Sequence, residues 1–101
     1  MIFLGLDVGS SGCKCVAFSE DGNFIYKCYD EYPTRAGQGD MDSVAMTKSI
    51  FGVIKGCASS IDAKDVAAIS ITSFGESFVP VDKDGNALSD IIMYTDKRGI
   101  P

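Results

Sequence analysis

The sequence contains no histidine, few basic residues and no long apolar run. Without histidine, the chain lacks the commonest metal ligand and the usual general base, so a reactive site must use carboxylates, hydroxyls and backbone groups. No apolar stretch approaches the roughly 20 residues that a membrane-spanning helix needs. Residues 1–3 also lead into a strand without a charged leader. We therefore expect a cytoplasmic protein with no membrane partner.

The nine lysine and arginine residues are outnumbered by 14 aspartate and glutamate residues, so the net charge is −5 at pH 7. The basic residues are scattered rather than clustered, which argues against a nucleic-acid partner. A bound polyphosphate would therefore need local hydrogen-bond donors and a cation.

The four cysteines lie in predicted strands and in a predicted helix. They lack the paired short spacing of a zinc site. We predict buried, reduced thiols rather than disulfides. They are Cys13, Cys15, Cys28 and Cys57.

An apolar strand over residues 2–6 runs into a turn rich in glycine and serine. We predict that this strand is buried and that it presents Asp7 at a rigid strand end. Glycines in the turn permit positive φ angles and close backbone approach, and the serines add hydroxyls, so several donors can converge on one anion. The turn residues are Gly9, Ser10, Ser11 and Gly12.

Asp7 would repel a phosphate unless a metal ion lay between them. We therefore interpret Asp7 as a ligand of Mg²⁺ through water, with the turn holding phosphate oxygens. The alternative is a tight hairpin turn whose glycines serve geometry alone and whose Asp7 caps backbone N–H groups. The turn is not a Walker loop, because Lys14 follows it, and a second strand follows where a dinucleotide fingerprint opens a helix.

Three strands over residues 2–6, 13–18 and 24–29, joined by tight turns, predict an antiparallel meander. Residues 20–23, Glu-Asp-Gly-Asn, are a strong turn signal between the second and third strands. Because both faces of such a sheet would be apolar, we expect a helix layer to cover at least one of them.

A helix is predicted next, with Asp42 or Ser43 as its N-cap and its end near Ala58. Gly52 and Gly56 suggest close packing against the sheet or a weak helix end, since each costs about 1 kcal/mol relative to alanine. The predicted apolar stripe is Met46, Ile50, Val53, Ile54 and Cys57.

Residues 66–72 form a nearly all-apolar strand after this helix. A helical crossover predicts that this strand lies parallel to residues 2–6 and beside them. Parallel neighbours end at one edge, so Asp7 and residues 73–76 should share that edge. The predicted fold is α/β, a mixed sheet in which the meander is joined through a helix to a parallel strand.

Residues 77–81 and 87–88 predict an exposed hairpin, with Pro80 marking an edge strand. Its acidic turn over residues 82–86 lacks the twelfth-position glutamate of a calcium loop, so an ordinary turn is favoured. Residues 91–93 are predicted as a short strand that leads to Asp96 and Arg98.

Three segments together resemble the start of the FGGY carbohydrate kinases, which belong to the actin/Hsp70/sugar-kinase ATPase superfamily. Asp7-Val8-Gly9-Ser10-Ser11 with Lys14 is similar to the Asp-x-Gly-Thr/Ser-Thr/Ser-x-x-Lys phosphate loop. Residues 69–76 stand in the place of a strand ending in Ser/Asn-Gln-x-x, and Tyr94-Thr95-Asp96-Lys97-Arg98 is similar to Trp-x-Asp-x-Arg. The usual Gln and Trp are replaced here by Phe74 and Tyr94, which predicts a different sugar pocket.

The resemblance implies a ribonuclease H-like, actin-like ATPase fold, truncated here to the N-terminal portion of kinase domain I over residues 1–101. It implies phosphoryl transfer from ATP, with Mg²⁺, to a hydroxyl of a small-molecule sugar or polyol, a ketose such as xylulose being favoured. The catalytic base and the adenosine-binding domain would lie outside this chain. The chain alone should therefore not catalyse phosphoryl transfer. The implied phosphate ligands are Gly9, Ser10, Ser11 and Lys14, with Asp7 at Mg²⁺, and the implied substrate-site residues are Phe74, Gly75, Glu76, Tyr94, Asp96 and Arg98.

Other interpretations of these residues stay open. Lys14 can be a solvent-facing strand residue, Glu76 a plain loop acid, and Asp96 with Arg98 a surface ion pair worth under about 1 kcal/mol. A non-catalytic ATP-binding switch or filament protein of the same superfamily is a second function. A divalent-metal nuclease on the ribonuclease H fold is a third, disfavoured by the acidic charge. Apolar surface left exposed on such a fragment would also allow a homodimer.

Overall fold

The computed structural model describes residues 1–33 and 41–94. Strands β1 (Ile2–Val8), β2 (Gly12–Ser19) and β3 (Phe24–Glu31) precede helix α1 (Ser43–Ser59), a short 3-10 helix (Ala63–Asp65) and strand β4 (Val66–Ser73). The strands form one sheet in the order β3-β2-β1-β4. This arrangement confirms the predicted α/β fold.

The predicted meander is confirmed, because β1 pairs antiparallel with β2 and β2 pairs antiparallel with β3. The turn between β2 and β3 is closed by a hydrogen bond from the Gly22 N–H to the Ser19 carbonyl, 2.9 Å long. Gly22 has a φ of 83°, a left-handed conformation that glycine adopts without steric cost. Local turn chemistry therefore fixes the register of these strands.

Strand β4 lies parallel to β1, as predicted. Leu4 pairs with Ile69 and Leu6 with Ile71, so both strands run in register to the same edge of the sheet. The crossover through α1 makes this pairing possible, since parallel neighbours cannot be joined by a tight turn.

Helix α1 begins after Asp42, whose Oδ1 accepts a hydrogen bond of 2.9 Å from the Val44 N–H. This identifies Asp42, of the two candidates, as the N-cap, and the helix ends at Ser59, one residue beyond Ala58. The predicted stripe is confirmed, and Ser49, which the apolar pattern did not include, is buried with it. The buried stripe residues are Met46, Val53 and Cys57, and Ile50 and Ile54 are half-buried against the core.

The helix covers one face of β2 and β3 and leaves β4 open. The Cys57 thiol donates a hydrogen bond of 3.0 Å to the Cys15 carbonyl, at the centre of this contact. On the same face of the sheet, Ile69 and Ile71 remain 42% and 63% exposed. The prediction of a buried first strand is right for one face only, because Phe3 on the other face is 37% exposed.

All four cysteines are free thiols, as predicted. Cys13, Cys15 and Cys57 are buried and Cys28 is half-buried. Burial, followed by the neighbouring Cys57, raises the pKa of the Cys15 thiol to about 12. The Cys15 thiol therefore stays protonated near neutral pH and is a weak nucleophile.

The predicted hairpin after β4 is present as a turn closed by one antiparallel pair, with a hydrogen bond of 2.9 Å from the Leu88 N–H to the Pro80 carbonyl, but neither it nor residues 91–93 extend into strands. Val81 pairs with Ala87, Phe78 with Ile92, and Met41 with Ile91. The prediction of strands over residues 77–81 and 91–93 is wrong in this respect, because a single pair of residues does not continue into a ladder, and Pro80 has no N–H to donate.

The acidic turn at residues 82–86 is an ordinary turn, as predicted. Oδ1 of Asp82 accepts hydrogen bonds of 2.9 Å from the N–H groups of Asp84 and Asn86. Hydrogen bonds from Asn86 lower the pKa of the Asp82 carboxyl. The carboxylate that a calcium ion would need is thus used to close the turn.

Within residues 1–33 and 41–94, no helix is both long and apolar enough to cross a membrane.

Candidate functional site

The predicted phosphate turn, residues 9–12, and the predicted substrate loop, residues 73–76, lie at one edge of the sheet, where β1 and β4 both end. Asp7 pairs with Thr72 and Val8 with Ser73. The Phe74 N–H then donates a hydrogen bond of 3.0 Å to the Val8 carbonyl, which fastens the start of the loop to the end of β1. The predicted common edge is therefore confirmed.

The turn after β1 needs glycine for close approach rather than for unusual dihedral angles. The Gly9 N–H donates a hydrogen bond of 2.9 Å to the Gly12 carbonyl. A Cβ atom on Gly9 would lie 2.9 Å from that same carbonyl oxygen. Among the described glycines only Gly22 and Gly85 have positive φ, so Gly9 and Gly12 use the close backbone approach that glycine permits and not the positive φ.

Ser10 and Ser11 form the exposed tip of this turn. Within the described residues, neither their N–H groups nor their hydroxyls donate a hydrogen bond to the protein. The Ser11 carbonyl accepts a hydrogen bond of 3.0 Å from the Tyr32 N–H, which ties the tip to the end of β3. The tip thus presents free donors on a fixed backbone, which suits an anion with several oxygens.

Asp7 and Lys14 are cross-strand partners on the face of the sheet away from α1. Asp7 is exposed and Lys14 is half-buried, and no ion pair joins them in the described part of the chain. The Asp7 carboxylate accepts no hydrogen bond from the described residues, so the alternative in which it caps backbone N–H groups is wrong. A cavity of about 330 Å³ beside them is lined by residues that include Ser70 and Thr72.

The carboxylate of Asp7 fits a magnesium ion that is held mainly by water and phosphate. Among the described residues, no group of three or more acidic or cysteine side chains could enclose a metal ion. Mg²⁺ commonly keeps several waters and binds one or two carboxylates together with substrate phosphates. Asp7 meets this requirement, because it lies near the end of β1, and the free donors of Ser10 and Ser11 lie in the turn that follows.

Four of the predicted substrate-site residues line a cavity of about 340 Å³ at the same edge. The ring centroids of Phe74 and Tyr94 lie 6.5 Å apart, with an interplanar angle of 54°. Between them in the lining are Gly75 and the exposed Glu76. Glu76 has a φ of 58°, a left-handed conformation that residues with side chains seldom adopt.

The two remaining predicted substrate-site residues, Asp96 and Arg98, lie outside the described part of the chain.

Two residues that the sequence patterns did not single out support the site. Tyr32 holds the phosphate turn through its backbone and is only 3% exposed. Burial, with smaller effects of Cys13 and Asp7, raises the pKa of this phenol. Ser77 joins the substrate loop to Tyr94. The sequence carried no signal for Tyr32, because its contact with the turn is made by a backbone N–H.

Comparison with known proteins places these features in a family. The profile of the N-terminal domain of the FGGY family of carbohydrate kinases matches residues 2–101. A glycerol kinase from Saccharolobus islandicus is 30% identical over 103 residues, which are 97% of this chain and 20% of the relative. The chain therefore spans about a fifth of the length of the curated relatives it matches.

Solved structures show the same fold. A xyloylose kinase from Brucella ovis superposes with a TM-score of 0.85 at 21% identity, over 97% of this chain and 22% of that protein. A Plasmodium falciparum glycerol kinase with ADP superposes with a TM-score of 0.81 at 16% identity, over 96% of this chain and 21% of that protein.

Proposed function

Because the chain belongs to the FGGY family of carbohydrate kinases, we propose that the native protein transfers a phosphoryl group from ATP to a hydroxyl of a sugar or polyol. The observation that carries this proposal is the shared edge of β1 and β4. It brings a turn with free N–H and hydroxyl donors next to a cavity with aromatic walls and one carboxylate. Phosphoryl transfer depends mainly on positioning and on stabilising charge, which such an edge can supply.

On the donor side, Ser10 and Ser11 would hold phosphate oxygens through their unpaired donors. Gly9 permits the tight closure of the turn, and Lys14 supplies positive charge on the neighbouring strand. Asp7 would hold Mg²⁺ through water, and the ion would neutralise charge on the transferring phosphate. Each role uses a group that has no competing partner among the described residues.

On the acceptor side, Glu76 would accept hydrogen bonds from substrate hydroxyls. Phe74 and Tyr94 would pack against the carbon skeleton of the sugar, because an aromatic ring offers both apolar area and a polarised face. Gly75 leaves the wall between them without a side chain. Asp96 and Arg98 are assigned to this side by the family resemblance alone.

We propose a ketose such as xylulose as the acceptor. The relatives named above are described as a glycerol kinase and a xyloylose kinase, so a three-carbon polyol is the main competing acceptor. The chain would be the N-terminal portion of the first kinase domain, with the adenosine site and the catalytic base supplied by further sequence. It should therefore be inactive alone. Cytoplasmic location and pairing with a second copy stay predictions.

The test is an ADP-release assay on the native protein with xylulose, glycerol and a wider panel of ketoses, aldoses and polyols. We expect turnover that requires both Mg²⁺ and one of these acceptors. Asp7→Asn should lower kcat by at least about 100-fold, the size of effect seen when one charge-stabilising group is lost from an active site. The matched control is Asp21→Asn, which removes an exposed carboxylate in the turn between β2 and β3 and should leave the rate unchanged.

Failure of every acceptor to stimulate ADP release would contradict the proposal. ATP binding that is weakened by Asp7→Asn, without any acceptor dependence, would point instead to a nucleotide switch.

A further inference from the structure

The hydroxyl of Ser77 lies between the two segments that line the acceptor cavity. Its Oγ accepts a hydrogen bond of 2.8 Å from the Tyr94 N–H, across a sequence separation of 17 residues. The same hydroxyl donates a longer hydrogen bond, 3.4 Å, to the Gly75 carbonyl. One small side chain thus joins the Phe74-Gly75-Glu76 loop to Tyr94.

The loop needs such an attachment because of the conformation of Glu76. A φ of 58° is unfavourable for a residue with a side chain and persists only where the flanking structure fixes it. On one side, the Phe74 N–H is bonded to the Val8 carbonyl at 3.0 Å. On the other side, the described residues offer Ser77 as the attachment. Glu76 is therefore held between two fixed points, one on the donor side of the site and one on Tyr94.

The bridge next along the chain reinforces this attachment. The N–H groups of Phe78 and Ile92 each donate to the carbonyl of the other, at 3.1 Å and 2.7 Å. This bridge sets the distance between the two segments but does not extend to Tyr94. In the described part of the chain, the hydrogen bond to the Ser77 hydroxyl is the one that reaches Tyr94 itself, whose ring centroid lies 6.5 Å from that of Phe74.

We propose that Ser77 is a positioning residue for the phosphoryl acceptor. It holds Tyr94 against Phe74 and keeps the Glu76 carboxylate directed by its left-handed backbone, so the cavity stays shaped for a small polyhydroxy compound before that compound binds. The role rests on the proposed function, because it assigns the acceptor to this cavity. It predicts an effect on acceptor binding and none on nucleotide binding, since the Ser10 and Ser11 donors do not depend on Ser77.

Three substitutions in the native protein separate the hydroxyl from the size of the side chain. Ser77→Ala removes the hydroxyl, Ser77→Val removes it in a branched side chain, and Ser77→Thr keeps it. We expect Ala and Val to raise the KM for the acceptor between about two- and tenfold, the effect of one net hydrogen bond. The KM for ATP should stay unchanged, and Thr should restore the value for the acceptor.

A second readout does not depend on activity. Amide hydrogen exchange at Tyr94 should be slow in the wild type and in Ser77→Thr, and faster in Ser77→Ala and Ser77→Val. Equal exchange in all four proteins would overturn the attachment itself. An unchanged acceptor KM in Ser77→Ala, or a parallel rise in the KM for ATP, would overturn the positioning role. A wild type that turns over no acceptor would overturn the proposed function, while the exchange result would still decide whether the attachment exists.

Discussion

Replacing Gly12 by alanine tests why the phosphate turn needs glycine at its second corner. Gly12 begins β2 and has an ordinary negative or extended backbone, so the substitution costs nothing through φ. A Cβ atom there would lie 2.6 Å from Oη of Tyr29, 2.9 Å from its Cζ, and 2.7 Å from the carbonyl oxygen of Asp30. Non-bonded heavy atoms prefer separations of roughly 3.5–4.0 Å, so all three contacts are overlaps.

The two neighbours differ in how they can respond. Tyr29 is 55% exposed and can rotate its ring away. The Asp30 carbonyl belongs to the backbone of β3 and cannot rotate away. The overlap with the new Cβ atom is therefore relieved only if β2 and β3 separate at the end next to the turn over residues 9–12. Overpacking of this kind costs about 1–3 kcal/mol. That is a large share of the roughly 5–15 kcal/mol that stabilises a typical domain.

Gly5→Ala is the matched control, because Gly5 lies in the adjacent strand β1. A Cβ atom there would meet only Cε2 of Phe18, at an ordinary contact distance of 3.8 Å. We expect this substitution to be neutral or to stabilise the protein by about 0.5–1 kcal/mol, the usual cost of glycine inside a strand. The double variant Gly12→Ala with Tyr29→Ala should remain less stable than Tyr29→Ala alone, because the overlap with Asp30 persists.

The assays are urea unfolding and calorimetric titration of the native protein with MgATP. Gly12→Ala should lower the free energy of unfolding and weaken nucleotide binding, whereas Gly5→Ala should not lower the free energy of unfolding. If Gly12→Ala were as stable as Gly5→Ala and bound MgATP with wild-type affinity, the close-approach argument for this turn would be refuted.

Three further predictions concern stability elsewhere in the fold. In α1, Gly52→Ala should stabilise the protein by about 1 kcal/mol, because nothing lies within 4 Å of a Cβ atom there. Gly56→Ala should give no such gain, because its Cβ would lie 2.6 Å from Sγ of Cys28. Equal gains in the free energy of unfolding in urea would contradict this difference. Because the pKa of Cys15 is raised, its contribution to stability is complete below about pH 9 and is lost as the pH rises toward about 12. The free energy of unfolding should therefore change less between about pH 8 and about pH 10 in Cys15→Ala than in the wild type. An identical change in the two proteins would refute the assignment. Glu76→Gly should stabilise the protein by up to about 1 kcal/mol, because glycine adopts the left-handed backbone without steric cost. It should also raise the KM for the acceptor, because the carboxylate is lost. A gain in stability with an unchanged KM would show that Glu76 does not contact the acceptor.

Sequence patterns predicted the fold where short-range chemistry decides it. The turn at Gly22 and the N-cap at Asp42 are written in local residue types, and both set the boundaries of the elements beside them. The parallel pairing of β4 followed from a topological rule, since a helix between two strands brings them side by side. From that pairing came the shared edge of the candidate site.

The same patterns could not show which surfaces are covered. Ile69 and Ile71 have the composition of a buried strand, but α1 packs over β2 and β3 and leaves them exposed. Hydrophobic periodicity reports that a face is apolar and carries no information about what lies on it. The isolated bridge between Phe78 and Ile92 was not predicted for a related reason. The number of residue pairs in a strand ladder depends on how far two segments stay adjacent in the folded chain.

Details of the site depended on contacts between distant residues. The left-handed backbone of Glu76 is held by neighbours at Val8 and Tyr94, so no local propensity predicts it. Tyr32 supports the phosphate turn through a backbone N–H, a group that every residue except proline carries. Side-chain identity therefore predicts the chemistry of the candidate site, while its rigidity comes from tertiary hydrogen bonds.

The most direct test of the central claim measures whether metal and acceptor bind at the same edge of the sheet. In the native protein, with Mn²⁺ in place of Mg²⁺ and a nucleotide bound, we expect enhanced paramagnetic relaxation of the protons of the bound sugar. Asp7→Asn should weaken this enhancement while the sugar still binds, because the carboxylate helps to place the ion that the nucleotide phosphates also hold. A bound sugar whose protons relax at the diamagnetic rate in the presence of Mn²⁺ and nucleotide would contradict the account.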